Sequence, residues 1–169
     1  MNDYIFNTVN DLVNRYGTRD PFELISALRI EQYTSNLPTL KGYSVIANGI
    51  PYVAVNTSLG PCERKIVAAH EIGHIILHSD QLRVAPHRDM SLYAMKDKTE
   101  YEANMFAADL LVSDEDVVDL VEKDDLDYFT MASILYVSPE LLSFKLYSMT
   151  RRGYHYNIPG GIDSAFLAK

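Results

Sequence analysis

Tryptophan is absent from the 169 residues, and cysteine occurs once, at Cys62. A single thiol excludes an internal disulfide and fits a reducing cytosol. Cations are scarce as well: 15 Lys and Arg face 23 Asp and Glu, for a net charge of −8. That balance argues against non-specific binding to nucleic acid or to an anionic membrane. No apolar run approaches the length needed to span a bilayer. The opening residues, Met-Asn-Asp-Tyr-Ile, lack the basic start and apolar stretch of a signal peptide. The expectation is a cytoplasmic protein with no membrane partner and no direct nucleic-acid partner. Hydrophobic residues make up 47%, enough at this length for one domain, 1–169, with a sizeable core. Charge is uneven: eight acids from Asp114 to Asp127 stand against Lys123 alone.

The chain is organised around His70-Glu71-Ile72-Gly73-His74-Ile75-Ile76-Leu77-His78. On a helix, positions i and i+4 share a face, about 40° apart and roughly 6 Å along the axis. Imidazoles at 70 and 74 can therefore share one metal ion, with Glu71 beside a water bound there. This is the geometry of a zinc hydrolase helix. The pattern is short and occurs by chance in many chains, where it is a solvated helix face.

The flanking elements read from pattern. Helical spacing over 3–16 ends at Gly17. Asp20-Pro21-Phe22-Glu23 reads as an N-cap, a first-turn proline and a capping-box acid for a helix over 21–29. Residues 30–34 are a short strand candidate. Asn48-Gly49 between two β-branched and aromatic runs marks a hairpin over 43–56, because a type I′ turn needs two residues at positive φ. An open edge there would accept an extended peptide by strand addition. Pro61 starts the main helix, to about His78; Gly73 inside it implies close packing against a neighbour. The connection 79–98 is weakly periodic, with one helical turn expected at 89–95. A helix over 97–112 presents Ala103, Phe106, Ala107, Leu110 and Leu111 as a narrow packing face. Ser113 caps a helix over 114–123 whose first-turn acids favour its dipole, so the acid excess reads as a solvated face. Helices over 128–136 and 139–149 form a pair resembling a helix-turn-helix. Its second helix offers only Lys145 before Arg151 and Arg152, too little for phosphate binding. The tail 153–169 reads as irregular.

A catalytic zinc takes three protein ligands and leaves a position for water. Cys62 and His78 each lie about 12 Å along the helix from His70, too far to converge with it. Cys62 reads as a small buried hydrophobe and His78 as a packing group. An acid on the next helix remains, and Glu100 and Glu102 are both placed for it, on different faces.

The pair His70–His78 and Glu100-Tyr101-Glu102-Ala103-Asn104-Met105-Phe106-Ala107-Ala108-Asp109-Leu110-Leu111 resembles the ImmA/IrrE family of zinc metallopeptidases, whose pattern is HExGHxxLH followed by ExxANxFAxxLL. The usual proline after the leucine pair is missing; Ser113 stands near its place, a departure at a helix end. The resemblance implies an α+β, mainly helical zincin-like metallopeptidase with a small antiparallel sheet and a C-terminal helix pair. It divides the chain into N-terminal helices and sheet (1–57), metal-site helices (58–112), a C-terminal helical part (113–152) and the tail. It makes His70, His74 and Glu100 the ligands of one Zn2+ ion, Glu71 the catalytic base and Asn104 a partner of a ligand. Family members of this size are antirepressors of prophages and mobile elements that cut a helix-turn-helix repressor. Members with a role in radiation response carry an added sensory domain, which 169 residues leave no room for.

Two questions stay open in the sequence. The donor that stabilises the developing oxyanion is one of Tyr93, Tyr101, His87, His155 and Tyr154. The rival to proteolysis is a zinc-containing module that inactivates a repressor by docking, through the acidic 113–127 segment; an intact Glu71 argues against it, since a structural zinc needs no base.

Overall fold

The computed structural model describes residues 3–82, 87–89, 98–122 and 126–156, with 87–89 described as backbone. Helix α1 (Tyr4–Tyr16) stops where expected: Gly17 takes φ 70° and its N–H bonds Val13 O. Helix α2 (Pro21–Ala27) begins at Asp20, whose carboxylate accepts from the Phe22 and Glu23 N–H groups. The Glu23 carboxylate does not close the capping box on Asp20. It accepts from the Thr18 hydroxyl, which itself accepts from Asp20 N–H at 3.0 Å.

Strands β1 (Glu31–Ser35), β2 (Gly42–Ala47), β3 (Ile50–Asn56) and β4 (His87–Asp89) form one sheet in the order β1-β3-β2-β4. The β2–β3 hairpin turns at Asn48 and Gly49, with φ 52° and 79°, as a type I′ turn requires. The α+β, mainly helical architecture is as expected, but the sheet is mixed. β1 runs parallel to β3, with Glu31 opposite Tyr52 and Ser35 opposite Asn56. Asn56 pins the connecting loop by donating to Leu37 O and Leu40 O at 2.7 and 2.8 Å. Because β1 covers β3 and β4 pairs with β2 over Gly42–Ser44, the hairpin strands are central. The edge expected at the hairpin is taken up within the chain over Gly42–Ser44 and Tyr52–Asn56, the positions these pairings cover.

Helix α3 (Pro61–Leu77) lies on the sheet, and α5 (Lys98–Leu111) packs on its other side. Helices α1 and α8 (Pro139–Arg151) cover the far side of α5. The core runs through these layers: Val53, Val55, Ile72, Phe106, Leu110 and Phe144 are fully buried, each side chain contributing on the order of 2 kcal/mol. Ala103, Phe106, Ala107 and Leu110 are buried as expected, with Leu111 half-buried. Between α3 and α5 come α4 (Ser79–Leu82) and β4; residues 90–95 of the turn expected at 89–95 fall outside the described residues.

Helix α6 (Asp114–Val121) is capped by Ser113, which accepts from Asp116 N–H. The C-terminal pair is α7 (Tyr128–Ile134) and α8. The acid-rich face is not wholly solvated. Asp114 pairs with Lys145 at 2.7 Å and with Arg152. Lys145 is fully buried and also meets Asp109 at 3.0 Å. A cation so enclosed is unavailable to phosphate.

Cys62 departs from expectation: it is exposed, with its thiol donating to Tyr136 O at 3.0 Å. It sits in the first turn of α3, where the helix start borders a groove lined by Lys41, Ile66, Val137 and Ser138.

Candidate metal centre

His70, Glu71 and His74 are each 0% exposed on α3. Burying two imidazoles and a carboxylate is costly unless partners hold them. The partners come from both layers that sandwich the helix.

On the α5 side, His70 Nε2 and His74 Nε2 face each other at 3.0 Å. Glu100 reaches in from the first turn of α5, with Oε2 3.3 Å from His70 Nε2 and Oε1 3.5 Å from His74 Nε2. All three side chains offer ligand atoms within 4.8 Å of one another. A tetrahedral ion with bonds of about 2.0–2.1 Å spaces its ligand atoms about 3.3–3.4 Å apart. The observed separations bracket that value. His70 Nδ1 lies 2.9 Å from Asn104 Oδ1. With the carbonyl oxygen facing it, Nδ1 carries the proton and Nε2 keeps its lone pair toward the cluster. The residues present therefore fit a divalent cation.

On the sheet side, Glu71 lies against β2. A Cβ built on Gly42 would stand 2.5 Å from Val67 Cγ1, 2.9 Å from Ala54 O and 3.4 Å from Glu71 Oε1. Only glycine admits this approach of helix and strand. No periodicity in the sequence marks Gly42. Two residues on, the buried Ser44 stands opposite His87 in the β2–β4 register.

The other expected residues sort by position. Glu102 turns away from the cluster, its Oε2 3.5 Å from His78 Nε2 and Oε1 3.5 Å from Lys98. His78 caps α3, its N–H bonded to His74 O. Tyr101 faces α8, its ring 5.9 Å from that of Phe144. Burial, with the Tyr147 hydroxyl beside it, pushes its phenol up to about 12. Tyr154 stacks on Tyr156 and lies under Arg152, which pairs with Asp114 at the start of α6. His155 is exposed. Tyr93 and the side chain of His87 lie outside the described residues.

Sequence reasoning missed the Asp109–Lys145–Asp114–Arg152 cluster. Ser148 completes it, donating to Asp109 Oδ2 at 2.8 Å, and Arg152 sits 3.5 Å from the Phe6 ring centre. A signal was present: Lys145 is enclosed by Leu141, Leu142, Phe144 and Leu146.

Two imidazoles of one helix turned toward an acid of the next, with a further buried carboxylate between them in sequence, make up a centre of metallopeptidase type. The chain belongs to the peptidase family of the IrrE N-terminal-like domain (Peptidase M78), whose model matches residues 26–147. It is also similar to "Uncharacterized immunity region protein 2" of Bacillus phage phi105, 34% identical over 107 residues. That match covers 63% of this chain and 66% of the phage protein, just under two thirds of the latter. No solved structure matches the chain. Among the described residues, no helix is long and apolar enough to cross a membrane.

Proposed function

We infer that this chain is a zinc-dependent endopeptidase that cuts a helix-turn-helix repressor of a phage or mobile element, acting as a cytoplasmic antirepressor. The observation that carries the reading is the convergence of His70, His74 and Glu100 from two helices, with Glu71, next to His70 in sequence, buried on the same helix. Membership of a peptidase family and similarity to a phage immunity-region protein support the substrate class.

His70, His74 and Glu100 would hold the zinc ion, which when bound would supply Lewis acidity toward a water and the scissile carbonyl. Glu71 takes a proton from the water as it attacks the peptide carbon, then delivers it to the leaving amine. Asn104 keeps the His70 ring in the tautomer that ligates. Gly42 lets β2 approach α3 closely at the Glu71 carboxylate. Of the oxyanion donors weighed from sequence, Tyr101 and Tyr154 are engaged elsewhere. His87, opposite Ser44 in the sheet register, is the first to substitute.

The test uses purified chain and the repressor encoded nearest its gene. Cleavage should stop on chelation and return with one equivalent of Zn2+. Cleavage that persists in the stripped protein, or a repressor that is bound and never cut, refutes the reading; the second result favours the docking module.

A further inference from the structure

The proposed ligands sit on two helices, His70 and His74 on α3 and Glu100 on α5. Their separation is therefore set by how closely these helices approach. Gly73, one residue before His74, controls that approach. A Cβ there would stand 3.2 Å from Ala103 Cα and 3.2 Å from both Cβ and Cδ1 of Phe106. The first of these atoms is backbone, and Phe106 is fully buried among close-packed neighbours. Accommodating a methyl group requires α5 to retreat by roughly a few tenths of an ångström. Ala103 is one turn beyond Glu100 on the same helix face, so the retreat carries Glu100 outward. Metal sites tolerate changes of only about 0.2 Å in ligand distance. A movement too small to undo the fold is thus large enough to disturb the site.

We propose that Gly73 is a positioning residue whose missing side chain sets the α3–α5 gap, and through it the affinity and size selectivity of the cation site. This rests on His70, His74 and Glu100 being the ligands. Helix propensity favours alanine over glycine here, so a role confined to stability gives no reason for selectivity among ions to change. A widened gap gives one: it penalises the small Zn2+ more than the larger Cd2+.

The experiment titrates the metal-stripped full chain, wild type and Gly73→Ala, with Zn2+ and with Cd2+ against a chromophoric chelator, using circular dichroism to establish folding. The variant should lose about tenfold or more in Zn2+ affinity, the range typical of changes to groups that support ligands, and distinctly less in Cd2+ affinity. Wild-type affinity for both ions, or an equal loss for both, overturns the proposal. If Gly73→Ala does not fold, Gly73→Ala/Phe106→Leu, which removes the aromatic ring while keeping the Cβ and Ala103 backbone contacts, is titrated under the same criterion. A wild type that binds neither ion overturns the ligand set itself, a failure distinct from that of the spacer.

Discussion

At the scale of the residue, Asn104 and Glu100 do separable work. Asn104 Oδ1 meets the outer nitrogen of His70, at 2.9 Å. Asn104→Ala should leave the protein folded and weaken Zn2+ binding by about 10–100-fold, measured by chelator competition. Unchanged affinity would mean that the tautomer of His70 is set elsewhere. Glu100 and Glu102 make a matched pair on one turn of α5. Glu100→Ala should purify without metal and Glu102→Ala with one equivalent, by elemental analysis; the reverse result would move the third ligand. The His70 and His74 positions were legible because a four-residue spacing has one geometric meaning on a helix. Glu100 was separated from Glu102 only by the family resemblance, since spacing allowed both. Gly42 was not legible as part of a site, because its role depends on a strand that meets α3 only in the folded chain.

Elements were read well where their signals are local. The N-caps at Asp20 and Ser113 accept helix N–H groups, and the Asn48-Gly49 turn has the φ values it needs. The parallel pairing of β1 with β3 was not legible, because a partner strand some twenty residues away leaves no mark on the pattern of either strand. The ion cluster joins α5, α6 and α8; the apolar neighbours of Lys145 hinted at its burial, but its acidic partners, 31 and 36 residues away, left no mark. Lys145→Met should expose its strength. Removing one member of a buried pair costs about 3–5 kcal/mol, so urea unfolding should shift by that order; a change below about 1 kcal/mol would mean that Arg152 compensates. Asp114 adds a pH dependence. Burial alone would raise its pKa, but hydrogen bonds from Arg152 and Lys145 outweigh that and hold it at about 2, against an ordinary 3.8. A carboxylate depressed on folding stabilises fully above its unfolded pKa and loses that contribution as pH falls through the folded one. The stability gap between wild type and Asp114→Asn should therefore be constant above about pH 4 and shrink toward pH 2. A gap independent of pH over that range would contradict the pairing.

Among the described residues α3 lies between the sheet and α5, and a metal held by His70, His74 and Glu100 would tie α3 to α5. Binding to the folded state alone adds stability by mass action, about 2.7 kcal/mol at a hundred times Kd. For a chain of this size that raises the melting midpoint by roughly 5–10 °C. Differential scanning of stripped and zinc-loaded protein measures it, and identical midpoints would place the ion outside the α3–α5 interface. The net charge of −8 and the burial of Lys145 both weigh against contact with nucleic acid, so the proposed function requires that a repressor be recognised as protein. The most direct measurement is co-expression with the helix-turn-helix repressor encoded nearest its gene, wild type against Glu71→Gln, with intact mass of the products and metal content of both proteins. Discrete repressor fragments with wild type only, at equal zinc content, is the predicted result. Fragments at the wild-type rate with Glu71→Gln, or an intact repressor with both, would contradict the account.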